Sequence, residues 1–442
     1  MNSVETVNFE VRPGSVLQGE LRVPGDKSIS HRALMLGAIA EGTTTVQGFL
    51  DSEDIKATMA ALRMMGVNIE EQDNNNLRIE GVGLHGLHAP GRPLDLGNSG
   101  TSVRLFAGLL SGQQFATELL GDQSLMQRPM RRIVEPLQQM GAQISCSEHG
   151  TLPIKIVPTK NLSAIRYVLP VASAQLKSAL LLAGLYADGK TCVHEPSVTR
   201  DHSERMLSQF GCTLETENGE ICLQANTLTG QDIIVPGDIS SAAFFIVAAS
   251  IIPGSNLLLK GVGLNPSRDA IIEILLSMGA DIEIDSLKAD SGEPVADLRV
   301  RHSKLVGITI PEHLVPIAID EMPVLMIAAA CAEGETRLSG AAELRVKESD
   351  RIKAMCEGLN VLGIEVEEKA DGMTVRGGEF ASGTVYSHED HRIAMAFSIA
   401  ALAASGPVVI NDCANVDTSF PSFQQCFTDL GMSMTVHRLK NA

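Results

Sequence analysis

Lys27, Ser28, Ser30, His31 and Arg32 crowd the start of a helix that follows a Val23-Pro24-Gly25-Asp26 turn. A point charge, a planar guanidinium fork, hydroxyls and the unpaired N–H groups of a helix start suit phosphate or carboxylate. The spacing is not GxxxxGK[ST], so the string is no Walker loop. The plainer alternative is a solvated helix start with a capping serine. Leu96-Gly97-Asn98-Ser99-Gly100-Thr101-Ser102-Val103-Arg104 puts small residues at a second helix entry, where a ligand could approach backbone closely, although an ordinary turn reads the same way. Arg128 stands just before Pro129, which is expected to open the next helix, although Arg128 taken alone reads as a surface charge. In Leu344-Arg345-Val346-Lys347-Glu348-Ser349-Asp350-Arg351, Lys347 and Arg351 share a helical face and Glu348 lies three before Arg351. The commonest meaning of such a string is a solvated, salt-bridged helix. Asp320-Glu321 precedes a strongly apolar helix, where a carboxylate caps or catalyses. His388 and His391 hint at a metal, but no third ligand accompanies them in sequence, and none is assigned.

The elements that position these residues repeat. Six times a helical stretch runs into an apolar-Gly step and then an alternating strand, with glycines at Gly66, Gly141, Gly211, Gly279, Gly363 and Gly431. They are separated by 75, 70, 68, 84 and 68 residues. Glycine after a helix suits a left-handed cap, and alternation after it suits a half-buried strand. Each unit also holds a helix that starts polar and turns small and apolar, beginning near Ser28, Ser99, Ser173, Asp238, Asp320 and Glu389. Helices apolar nearly all round are buried ones. If their polar starts emerge together, they form a cluster of positive dipole ends suited to anions.

Val23-Pro24-Gly25-Asp26 recurs as Val235-Pro236-Gly237-Asp238, an offset of 212. The echo predicts two similar domains of three repeated β/α units, 24–235 and 1–23 plus 236–442. The N-terminal strand, about Val7 to Val23, would join the second. Two crossings of the chain predict a hinge with a cleft. A single repetitive solenoid is the alternative.

Composition bounds the function. The 442 residues carry 35 Lys and Arg against 53 Asp and Glu, a net charge of −18, with 44% hydrophobic residues and no Trp. That is a folded chain of two or three domains, too acidic for a general nucleic-acid or anionic-membrane binder. The longest nearly apolar run, Ala242 to Ile252, is too short for a bilayer. Met1 to Gly14 lacks a basic region followed by an apolar core, predicting no secretory signal. Among eight Cys no CxxC or zinc spacing occurs, and a chain of this size needs no staples. The expectation is a soluble protein of a reducing compartment.

Read jointly, the strings resemble the EPSP synthase (5-enolpyruvylshikimate-3-phosphate synthase) family from about Val16 to Val436. The most specific are Pro24 to Arg32 and Arg345 to Arg351, supported by Leu96 to Thr101 and by Asp390-His391-Arg392-Ile393-Ala394-Met395. The resemblance implies an α/β fold, an inside-out, barrel-like arrangement of two three-repeat domains with the active site in the interdomain cleft. It implies transfer of the enolpyruvyl group of phosphoenolpyruvate to the 5-hydroxyl of shikimate 3-phosphate, on the route to chorismate and aromatic amino acids. By motif match, Lys27, Ser28, Arg32, Ser173, Ala174, Gln175, Arg200, Asp320 and Lys347 are expected at shikimate 3-phosphate. Lys27, Gly100, Arg128, Gln175, Arg351 and Arg392 are expected at phosphoenolpyruvate. Asp320 is the expected base and Glu348 the carrier of the C3 proton, with Lys27 assisting. No metal, nucleotide or other cofactor is required. The expected setting is a cytoplasmic monomer with small-molecule substrates and no nucleic-acid or membrane partner.

Three departures stand out: Leu105, Arg200 and Thr418 occupy positions where many bacterial members carry proline, tyrosine and lysine. They resemble the divergent class II branch known for glyphosate tolerance, whereas Gly100 is the smaller residue associated with room for glyphosate. UDP-N-acetylglucosamine enolpyruvyltransferase is the nearest rival, but its Lys-Asn pair is replaced by Lys27-Ser28. A non-catalytic anion-binding protein on the same repeats is the rival from another class.

Overall fold

A computed structural model describes residues 5–440 except 74, 225 and 291. Among these described residues, twelve α-helices alternate between two kinds. They are α1 (Lys27–Ile39), α2 (Glu53–Met64), α3 (Gly100–Leu110), α4 (Arg131–Gln139), α5 (Ala174–Gly184), α6 (His202–Gln209), α7 (Ile239–Ile251), α8 (Ala270–Ser277), α9 (Met322–Ala330), α10 (Arg351–Val361), α11 (His391–Leu402) and α12 (Phe423–Asp429). The odd-numbered helices are the small-residue ones and lie inside. Every residue of α7 and of α9 is buried. Asp26, Ser99, Ser173, Asp238 and Asp390 cap five of these helices, each side chain accepting a backbone N–H of the first turn. At α9, Glu321 takes the cap position without a side-chain cap bond, and proline stands in the first turn. The even-numbered helices are amphipathic, and each ends two residues before one of the six glycines, with a single cap residue between. All six glycines have φ between 78° and 98°, the left-handed region that a side chain rarely tolerates.

A strand follows each of these glycines, and after the first five it folds back on a hairpin partner, which pairs with a central strand. In the first unit Asn68–Gln72 pairs antiparallel with Asn76–Val82, which pairs antiparallel with Glu41–Gln47. A parallel strand, Asp232–Ile234, closes the far edge. The second unit repeats the pattern around Thr117–Leu120, and the third around Lys190–His194. In the last, Val408–Asn411 is central, with Gly383–Tyr386 parallel on one side and Glu5–Arg12 antiparallel on the other. Glu5–Arg12 also pairs with Ser433–Lys440, so the start of the chain supplies the missing hairpin strand. Alternation decides which face meets the helices: Val46, Ile69, Leu77 and Ile79 are buried, while their neighbours in the strands are largely open.

The chain divides into two compact units. One comprises Gly25–Val235 with Asp290–Glu293; the other comprises Met1–Pro24, Pro236–Ala289 and Pro294–Ala442. Each has its own core. That of the first is mainly aliphatic, whereas the second contains Phe244, Phe245, Phe420, Phe423 and Phe427 in a chain of tilted and edge-to-face rings. Such ring pairs contribute about 0.5–1.5 kcal/mol beyond their burial. Among the described residues, no helix is long and apolar enough to cross a membrane.

Cys192 and Cys222 correct the expectation of a chain without staples: they are joined by a disulfide, with their Cα atoms 4.0 Å apart. The reason is register. Lys190–His194 and Glu220–Gln224 pair antiparallel with Cys192 directly opposite Cys222, a neighbourhood that a sequence separation of 30 does not reveal.

Candidate active site

In the unit built on Gly25–Val235, the polar starts of α1, α3 and α5 converge, tied by side chains that run from one helix to the next. Arg32, on the first turns of α1, donates from Nε to Ser203 Oγ at 2.7 Å and from Nη2 to Ser178 Oγ of α5 at 2.8 Å. Its Nη1 returns to the Ser28 carbonyl at 2.9 Å. Arg32 is only 4% exposed, and burial lowers its pKa to about 10, with nearby Arg200 also working against the charge. Lys27 forms an ion pair with the buried Asp54 of α2. His31 is fully buried. Its Nδ1 lies 2.9 Å from Thr58 Oγ1 and 3.3 Å from Ser102 Oγ, and its Nε2 lies 3.4 Å from Ser99 Oγ. Burial, reinforced by Lys27 and Arg32, depresses its pKa well below the usual value, so the imidazole is neutral. It binds the start of α1 to the cap of α3.

At α3, Gly100 has no side chain for a specific reason. A Cβ there would stand 2.9 Å from Arg104 Nη1 and 3.0 Å from Arg128 Nη1. Arg104 reaches across to α5, donating to Gln175 Oε1 at 2.5 Å, while Gln175 Nε2 donates to Thr101 Oγ1 at 3.2 Å. Arg128 Nη2 donates to Asn98 Oδ1 at 2.7 Å, and Asn98 in turn donates to Asp122 at 2.7 Å. Ser173, Ala174 and Gln175 form the half-buried first turn of α5, with Ser173 as its cap. The close approach of α3 and α5 depends on Gly108, where a Cβ would lie 2.1 Å from the Ala179 carbonyl oxygen.

In the other unit the starts of α7, α9 and α11 converge likewise, but carboxylates dominate. Ser240 of α7 donates to Glu321, the cap of α9, and Arg268 donates to Ser240 Oγ at 2.6 Å. Arg392, second residue of α11, donates to the Asp320 carbonyl at 3.0 Å. The Asp320 carboxylate faces three cations: Arg351 Nη1 at 3.4 Å, Lys347 Nζ at 3.5 Å and Arg392 Nη2 at 3.9 Å. Arg351 is buried and also holds Glu348 at 2.6 Å and Asp390 at 2.8 Å. Burial opposes its charge, yet Asp390, Glu348 and Asp320 together raise its pKa above the ordinary guanidinium value. For Asp390 burial acts in the other direction, and the Arg351 charge overcomes it, leaving the carboxyl below its ordinary range. The Lys347–Arg351 string is therefore no solvated helix face: Lys347 precedes α10, and Arg351 is that helix's buried first residue.

One unit thus gathers cations, hydroxyls and helix starts suited to anions. The other gathers carboxylates held among cations, suited to moving protons beside anionic groups. A family model described as EPSP synthase (3-phosphoshikimate 1-carboxyvinyltransferase) matches residues 11–427. The chain belongs to the EPSP synthase family. It is 59% identical over 431 residues to the 3-phosphoshikimate 1-carboxyvinyltransferase of Methylococcus capsulatus, covering 97% of this chain and 99% of that one. The protein of the same name from Nitrosococcus oceani is 57% identical over 433 residues, 98% of each chain. The solved EPSP synthase of Acinetobacter baumannii superposes with a TM-score of 0.90 at 51% identity, over 98% of this chain and 100% of that one.

Several residues of this EPSP synthase family member join the clusters without having stood out in sequence. Arg104 is four residues after Gly100, a spacing that places both on one helical face and was the available signal. Lys177, with a side chain 1% exposed, holds Glu195 at 2.9 Å and Glu204 at 2.5 Å. Glu195 also accepts from Thr199 Oγ1 at 2.6 Å, which fixes the residue before Arg200. Asp54, the partner of Lys27, likewise carries no local signature. Of the three departures, Leu105 is fully buried core, Arg200 is half-buried near Arg32, and Thr418 is buried and donates to the Asn415 carbonyl at 2.7 Å. His388 lies 3.2 Å from Glu357 on the surface, whereas His391 is buried at the start of α11.

Proposed function

We propose that the two clusters serve one reaction, the transfer of the enolpyruvyl group of phosphoenolpyruvate to the 5-hydroxyl of shikimate 3-phosphate. The protein is on this reading a 3-phosphoshikimate 1-carboxyvinyltransferase, working as a cytoplasmic monomer on small-molecule substrates. The observation that carries the assignment is the Asp320 carboxylate set among Lys347, Arg351 and Arg392. A base with that many cations around it suits a substrate pair that is itself multiply anionic.

Lys27, Ser28, Arg32, Ser173, Ala174, Gln175, Arg200 and Lys347 hold shikimate 3-phosphate, with Asp320 at its 5-hydroxyl. Gly100, Arg128, Gln175, Arg351, Arg392 and Lys27 hold phosphoenolpyruvate. Asp320 takes the hydroxyl proton as the oxygen bonds to C2 of phosphoenolpyruvate, and Glu348 delivers a proton to C3. The product of this step is a tetrahedral ketal phosphate. Its C–O bond to phosphate then breaks, a C3 proton returns to Glu348, and the enol ether double bond forms. Arg351, which grips Glu348 at 2.6 Å, sets the direction from which that proton comes and goes.

The test is phosphate release from phosphoenolpyruvate, with shikimate 3-phosphate and separately with UDP-N-acetylglucosamine. Release is expected only with the former. Asp320→Asn is expected to lower kcat by about 10²–10⁴, the usual range for a positioned acid–base group. Release only with the nucleotide sugar would replace the substrate, and no release with either would leave a binding protein.

A further inference from the structure

Outside these clusters, one face of the third sheet carries an unusual set of side chains. Core residues Val193, Ile221 and Leu223 point to the helices. The alternate residues Cys192 and His194, on one strand, and Glu220 and Cys222, on the next, therefore share the opposite face. Register sets Cys192 opposite Cys222 and His194 opposite Glu220. The next strand places Glu215 beside Cys222 and Glu217 beside Glu220. A carboxylate oxygen of Glu220 and both sulfurs lie within 4.8 Å of one another. Both cysteines are buried, whereas Glu220 and His194 are half-buried.

We propose that the reduced Cys192–Cys222 pair, with Glu220 and His194, is a binding site for a zinc-like divalent ion, closed when the two sulfurs are joined. Thiolate, imidazole and carboxylate are the donors that zinc takes in four-coordinate sites, with Zn–S bonds of about 2.3 Å. The two sulfurs are adjacent through strand register, so opening them to bridge one ion requires side-chain rotation rather than movement of the sheet. Reduction by a dithiol transfers two electrons and two protons to the S–S bond, leaving two thiols here and a disulfide in the reductant. Ion binding then releases both thiol protons as the metal–sulfur bonds form. Glu220, 3.3 Å from the exposed Arg166, exchanges that ion pair for the metal. None of these residues belongs to the clusters assigned to the reaction, so metal binding and turnover are separable.

The experiment uses the full chain, reduced with a phosphine and freed of metal, then titrated with Zn²⁺ against a chromophoric chelator. One tightly held ion per chain is expected in the reduced protein and none at this site in the oxidised one. Cys192→Ser and Cys222→Ser should each weaken binding by at least 100-fold, and Glu220→Gln by about 10-fold, with turnover retained as proof of folding. Co²⁺ should give a thiolate charge-transfer band that is lost in both serine variants. In the unaltered protein, Zn²⁺ should shield Cys192 and Cys222 from alkylation, read by peptide mass. Absence of stoichiometric binding to the reduced chain would overturn the site. So would equal binding by the serine variants, or alkylation of both cysteines at the same rate with and without Zn²⁺.

Discussion

Arg351 and Asp390 form a two-pronged ion pair in which Nε and Nη2 donate to the two carboxylate oxygens at 2.8 and 3.3 Å. Neither side chain is more than 2% exposed. Asp390 also caps α11 by accepting the Arg392 N–H at 2.9 Å. One carboxylate thereby orients both the guanidinium that grips Glu348 and the start of the helix that presents Arg392. Replacing it with a neutral amide leaves a buried cation poorly compensated. Asp390→Asn is expected to destabilise by about 3–5 kcal/mol, measured by urea unfolding near neutral pH.

The same pair predicts an acid limit. The folded Asp390 pKa lies below its unfolded value, the Arg351 charge outweighing burial. In the window between the two values the unfolded chain binds more protons. The contribution of Asp390 is thus fully present above the unfolded value, about 3.9, and is lost as pH falls through the folded one. Urea midpoints measured from pH 5 downward should show a shallower decline in Asp390→Asn than in the unaltered protein.

His31 acts in a higher pH range. Its folded pKa is depressed well below 6.5, chiefly by burial, so stability falls as pH drops below the unfolded value. One proton of linkage corresponds to about 1.4 kcal/mol per pH unit. His31→Asn should remove up to that much slope between pH 6.5 and 5. An unchanged slope would show that His31 does not carry this linkage.

Gly100→Ala places a methyl group 2.9 Å from Arg104 Nη1 and 3.0 Å from Arg128 Nη1. Both neighbours are the ends of flexible side chains, so the fold survives and the guanidiniums move. The expected result is a several-fold higher KM for phosphoenolpyruvate, a smaller loss of kcat and weaker inhibition by glyphosate. Equal inhibition constants for the two proteins would contradict it.

Gly108→Ala tests the helix contact beneath that site. Its Cβ would stand 2.1 Å from the Ala179 carbonyl oxygen, and backbone cannot swing aside as a guanidinium can. A loss of about 1–3 kcal/mol is expected from the overpacking. Because α3 and α5 must part, Arg104 and Gln175 separate too, and the KM for phosphoenolpyruvate should rise although no ligand contact has been altered.

Much of this molecule was determined by residues close in sequence. Five of the six inner helices begin at an Asp or Ser whose side chain accepts a nearby N–H, and each outer helix ends at a glycine of positive φ. Caps, left-handed stops and apolar periodicity are energies of one or two turns, so the repeat was legible without coordinates. The motifs at Lys27 and Arg351 were legible as clusters of charge for the same reason. What those charges face was decided only by the tertiary structure. The Lys347–Arg351 string reads locally as a solvated helix face, yet packing buries Arg351 against Asp390 and turns it to Asp320. Arg104 meets Gln175 71 residues away, and Cys192 meets Cys222 through strand register. A side chain's partner across such distances depends on how helices cross and strands pair, which the local sequence does not encode by itself.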